Sequence, residues 1–91
     1  AACLSPSLWL APAKARRFIR QAEISPDTLI YMDYGGAEMT NHAANLSALT
    51  ACSSALLQKG VDLAFRIVPC GTHSEASWAR QIPVFMKCLG F

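Results

Sequence analysis

Two short segments of this chain carry residues of the right type and spacing for proton-transfer chemistry. One is "PCGTHSEASWARQIP", residues 69–83, in which His73 follows a Gly-containing turn and precedes a helical pattern. The other is "DYGGAE", residues 33–38, which brings two carboxylates, Asp33 and Glu38. They precede the histidine by 40 and 35 residues, enough for a loop, a helix and a strand between acid and base. A carboxylate that accepts the Nδ1 proton of an imidazole fixes its tautomer and stabilises the imidazolium. Nε2 is then free to act as a general base. The plainer alternatives are a satisfied loop histidine at 73 and, at Glu38, a charge placed near a helix N-terminus.

Other combinations are poorer. Cys70-x-x-His73 has a spacing that metals use, but the further ligands would have to come from His42, Glu75 or distant cysteines, none at typical intervals. No metal is expected. "YGGAE" lacks both G-x-G-x-x-G and a GK[ST] element, so no nucleotide cofactor is expected either. Ser5 and Ser7 flank Pro6 without the glycines that a strained nucleophile elbow needs, and neither is expected to be a nucleophile. His42 opens a long helical pattern and reads as a solvated or capping residue.

The elements that would position Asp33, Glu38 and His73 follow from the apolar period. "AACL" is a short apolar run closed by "SPS". "PAKARRFIRQA" is rich in helix formers, with Pro12 near its start. "TLIYMD" is apolar at nearly every position, as in a strand covered on both faces. From near Asn41 to Lys59, Leu46, Leu49, Cys52 and Leu56 form one helical stripe, and Gly60 caps it. "VDLAFRIV" alternates, with Asp62 and Arg66 on a more solvated face, which predicts a strand near a sheet edge. Trp78, Ile82, Phe85 and Leu89 form a last helical stripe, with Trp78 in the core. Pro83 must kink that helix or restart it. Strands alternating with helices predict an α/β fold of about three parallel strands, with Asp33, Glu38 and His73 at their carboxyl ends.

Composition narrows the function. The 91 residues are 53% hydrophobic and 15% charged, apolar for so short a domain, which suits a piece of a larger core. A net charge of +2 is too weak for a nucleic-acid footprint. Lys14, Arg16, Arg17 and Arg20 fit a solvated helix face. No apolar run approaches the ~18 residues of a membrane span. No signal peptide is visible, and the four cysteines (3, 52, 70 and 88) show no CxxC. Three of them lie in apolar contexts and read as buried free thiols of a reducing, cytoplasmic setting.

The segments "AACLSPSLW", "LIYMDYGGAEM" and "LLQKGVDLAFRIVPCGTHSEASWARQIPVFMKCL" together resemble the C-terminal part of an esterase group of α/β-hydrolases. That group includes enterochelin esterase-like enzymes, the S-formylglutathione hydrolase (esterase D) branch and the mycolyltransferases. The resemblance spans essentially the whole chain and is carried by "SPSLW", D-x-G-x-x-[DE] and G-x-H-x-x-x-x-W. It implies that His73 is the catalytic base, Glu38 its acid, and Asp33 a structural acid of the same loop. Trp9 lines the substrate entrance or packs in the core. The group's G-x-S-x-G nucleophile does not occur in these 91 residues. The resemblance therefore implies the acid-and-base segment of a serine ester hydrolase acting on small-molecule esters, inactive alone and completed by an upstream N-terminal half of the same domain. The rival is a non-catalytic α/β packing module that has kept the loop by descent.

Overall fold

The computed structural model describes residues 1–38 and 42–91, with the side chains of Trp9 and His42 excepted. Three strands, β1 (Ala2–Leu4), β2 (Leu29–Gly35) and β3 (Asp62–Val68), pair in the order β1-β2-β3, all parallel. A short 3₁₀ turn (Leu8–Leu10) and helix α1 (Pro12–Gln21) connect β1 to β2. Helix α2 (His42–Gln58) connects β2 to β3, and α3 (Glu75–Ala79) and α4 (Ile82–Cys88) follow β3. The chain is thus an α/β unit with a three-stranded parallel sheet, as the alternation of periods predicts. Among the described residues no helix is long and apolar enough to cross a membrane.

A progressive strand order with crossovers of one hand puts α1 and α2 on one face of the sheet. There Met32 and Tyr34 of β2 meet Leu49, Leu56 and Val61, flanked by Ile19 of α1 and by Leu63 and Phe65 of β3. The apolar stripe expected on α2 is present and broader. Ala48, Cys52, Ser53 and Ala55 are buried beside the leucines, and these small side chains let the helix lie close to the sheet. Burial raises the pKa of the Cys52 thiol, which makes it an inert packing group. Gly60 ends α2 at φ 79, a conformation that glycine adopts without penalty. Leu49, 2% exposed, is central to this layer. Leu49→Ala is expected to destabilise the chain by about 2–5 kcal/mol, read as a fall in the urea midpoint with an unchanged slope.

On the opposite face Pro83 takes one of the two courses expected of it, restarting a helix at its first turn, so α3 and α4 are separate. The stripe from Trp78 to Leu89 consequently does not form a core. Ile82 is 49% exposed, and Trp78, Phe85 and Leu89 are half-buried. Phe85 packs its ring against Tyr31 of β2 at a centroid distance of 5.9 Å. Arg66 is not a solvated strand residue. It is half-buried on this face and donates to Gln81 Oε1 (2.9 Å) and to the Tyr31 hydroxyl (3.4 Å). The thiols also divide differently: Cys52 is buried, Cys3 is half-buried, and Cys70 and Cys88 are exposed. The basic residues of α1 are exposed, as a solvated helix face requires.

Candidate acid–base site

Parallel pairing sets the site. In register, Asp33 lies beside Leu4 on one side and Arg66 on the other, so the chain leaves β1, β2 and β3 at the same end of the sheet. The loop after β2 (residues 36–38) and the loop after β3 (residues 69–74) then run side by side. Backbone bonds tie them: Gly36 N–H donates to the Val68 carbonyl (2.9 Å), and Ala37 N–H to the Gly71 carbonyl (2.8 Å). The contact is too close for side chains. A Cβ on Gly35 would lie 2.4 Å from the Gly71 oxygen and 2.8 Å from Glu38 Cγ. Gly35 is thus required for close approach, and a Cβ on Gly71 would itself be tight, 3.0 Å from Gly35 Cα and 3.1 Å from Val68 Cβ. The positive φ of the preceding turn falls on Cys70 (φ 57), with Pro69 before it and Gly71 N–H closing on the Val68 carbonyl (3.0 Å).

This arrangement brings together the acid and base singled out in the sequence. His73 Nδ1 lies 3.3 Å from Glu38 Oε2. The glutamate side chain is 2% exposed, whereas the imidazole is 47% exposed, so the carboxylate is sequestered and the imidazole faces outward. Glu38 Oε1 accepts from Gly35 N–H (2.8 Å) and from the Ser5 hydroxyl. The ring of Trp78 stands edge-on to the imidazole (4.9 Å between centroids, 87°), so the tryptophan expected in the core instead braces the histidine.

The His73 loop is itself fixed by hydroxyls. Ser74 caps α3 by accepting from Ser77 N–H (3.3 Å). Thr72 N–H donates to Ser77 Oγ (2.9 Å), and the Thr72 hydroxyl lies within 2.8 Å of Ser74 Oγ and 2.9 Å of Ser77 Oγ. Glu75 occupies the first turn of α3, where the helix dipole favours a negative charge.

Asp33 is almost wholly buried (1% exposed) and faces Ser5 and Tyr31. Its Oδ1 accepts from Ser5 N–H (3.2 Å), and its Oδ2 from the Tyr31 hydroxyl (2.8 Å). Burial and the neighbouring Asp33 push the Tyr31 phenol up to about 12, so the hydroxyl stays protonated and remains a donor. Asp33 is therefore embedded beneath the site, while Glu38 holds the imidazole.

Three participants were not singled out from the sequence. Ser5 was considered only as a nucleophile, yet its hydroxyl is committed to Glu38. Tyr31 and Arg66 extend the polar chain, through a half-buried guanidinium, to Gln81. Their signal was the strand period, which puts Tyr31, Asp33 and Arg66 on one face of adjacent strands. The side chains of Trp9 and His42 lie outside the described residues. No three His, Cys, Asp or Glu side chains converge among the described residues in a way that could hold a metal ion.

Beside Ser5, Asp33, Glu38 and Trp78 lies a cavity of about 10 Å³, room for a single water and far below the size of a small-molecule pocket. The arrangement can present an oriented, exposed imidazole for proton transfer. Among the described residues it does not by itself enclose an organic substrate. No family model, curated protein or solved structure matches this chain.

Proposed function

We propose that this chain supplies the acid and base of a serine carboxylic-ester hydrolase, as the C-terminal part of an α/β-hydrolase domain. The observation that carries the reading is the 3.3 Å contact between a half-exposed imidazole and a buried, otherwise anchored carboxylate across the carboxyl ends of two parallel strands. The resemblance of the D-x-G-x-x-[DE] and G-x-H-x-x-x-x-W segments to the esterase group points the same way.

In this scheme Glu38 holds Nδ1–H, and His73 Nε2 takes the proton from a serine hydroxyl as the serine oxygen attacks the ester carbonyl carbon. The tetrahedral adduct collapses, the C–O bond to the alcohol breaks, and Nε2–H returns the proton to the leaving alkoxide. Water then repeats the sequence on the acyl-serine and frees the acid. The serine and the oxyanion donors come from the N-terminal half of the same domain, which also builds the substrate pocket. Ser5 does not fill the serine's role, because its hydroxyl points to the acid and not to the base.

Two measurements test the proposal. The 91-residue chain alone is expected to hydrolyse p-nitrophenyl acetate no faster than free imidazole at equal concentration. Saturable turnover would overturn the division of labour between the two halves. Co-expression with an upstream segment carrying G-x-S-x-G is expected to yield saturable ester hydrolysis. A folded complex without turnover would favour a packing module over an enzyme.

A further inference from the structure

Ser5 has a conformation and a set of partners that a linker residue does not need. It follows β1 directly, is 6% exposed, and holds φ at 46, a left-handed conformation that non-glycine residues rarely adopt. Its backbone N–H is bound twice by one residue, to the Asp33 carbonyl (3.0 Å) and to Asp33 Oδ1 (3.2 Å). Asp33 is in turn held by the Tyr31 hydroxyl at 2.8 Å. With the backbone pinned in this way, the Ser5 hydroxyl reaches Glu38 Oε1.

We infer that Ser5 is a positioning residue that fixes the carboxylate of Glu38, and that Asp33 acts on the site through it. The inference rests on the acid–base reading of Glu38 and His73. A glutamate side chain has three rotatable bonds and loses considerable freedom when fixed. Gly35 N–H and the Ser5 hydroxyl occupy Oε1 from two sides, which turns Oε2 toward His73 Nδ1. The serine hydroxyl is one bond from Cβ, so the pinned backbone translates directly into a placed donor. A threonine would put a β-branch at a positive φ and clash. The buried acid at 33 and the acid at 38 are therefore successive members of one chain of contacts, Tyr31 to Asp33 to Ser5 to Glu38 to His73.

The test is ¹⁵N NMR of the His73 imidazole in the full chain at about pH 8.5, where an imidazole is neutral. The unmodified chain is expected to show the Nδ1–H tautomer, and Glu38→Ala to lose it. Ser5→Ala and Ser5→Gly are both expected to lose it as Glu38→Ala does, while keeping the dispersed amide spectrum of a folded chain. Ser5→Gly adopts a positive φ freely, so it carries the test if Ser5→Ala does not fold. In the unmodified chain the Ser5 hydroxyl proton is expected to be protected from solvent exchange. Retention of the Nδ1–H signature in a folded Ser5→Gly chain, or rapid exchange of that hydroxyl, would overturn the role of Ser5 and leave the acid–base pair intact. Absence of the Nδ1–H tautomer in the unmodified chain would overturn the pair, and the inference with it.

Discussion

In the proposed hydrolase, complemented by its upstream half, replacing His73 by alanine is expected to lower kcat by a factor on the order of 10⁴–10⁶, with the fold unchanged. The imidazole is 47% exposed and, among the described residues, makes one hydrogen bond and one ring contact, so its removal opens no cavity in the core. The loss is therefore kinetic. Glu38→Ala is expected to cost on the order of 10⁴, because the ring loses the partner that selects its tautomer and stabilises the imidazolium. Asp33→Asn should be milder in kcat than either, since Asp33 contacts Ser5 and Tyr31 rather than the ring. The check is a single-turnover and steady-state comparison on one ester, with denaturant midpoints for each variant. A His73→Ala complex with undiminished kcat would remove the base from the scheme.

Gly35→Ala is expected to be the most damaging single-methyl change in the chain. Its Cβ would sit 2.4 Å from the Gly71 oxygen and 2.6 Å from the Gly71 carbon, both backbone atoms, so no rotamer change relieves the overlap. Overpacking of this kind typically costs about 1–3 kcal/mol and sometimes more. The displaced atoms belong to the two loops that carry Glu38 and His73, so activity of the complemented enzyme should fall with stability. Gly36→Ala is the fitting comparison, since its nearest neighbour would be the Val68 oxygen at 3.3 Å, which a small shift accommodates. Equal denaturant midpoints for Gly35→Ala and the unmodified chain would show that the loops part easily.

Much of this was legible in the sequence because it depends on periods and on loop ends. The continuous apolar run of β2, the stripe on α2 and the cap at Gly60 dictate the strands and helices that the structure contains. A parallel sheet then forces Asp33, Glu38 and His73 to one end. What could not be read depends on which face neighbouring strands share. Arg66 looked solvated because a charge on an alternating strand ordinarily is, but it lies opposite Asp33 in register and meets Tyr31 and Gln81. Trp78 looked like core because its spacing matched Ile82 and Phe85, yet the restart at Pro83 breaks the stripe and turns the indole to His73. Ser5 looked like a loop serine because no spacing rule reveals a positive φ at a non-glycine position.

The closeness of Gly35 and Gly71 also fixes when the site comes into being. Glu38 and His73 are 35 residues apart, and they meet only after β3 has docked in register along β2. Pairing so distant in sequence is paid for late in folding, after local helices have formed. In a partly folded chain with α2 wound and β3 undocked, the imidazole therefore lacks Glu38 as its partner. The Nδ1–H signal of His73 is accordingly a reporter of the docking of β3 along β2.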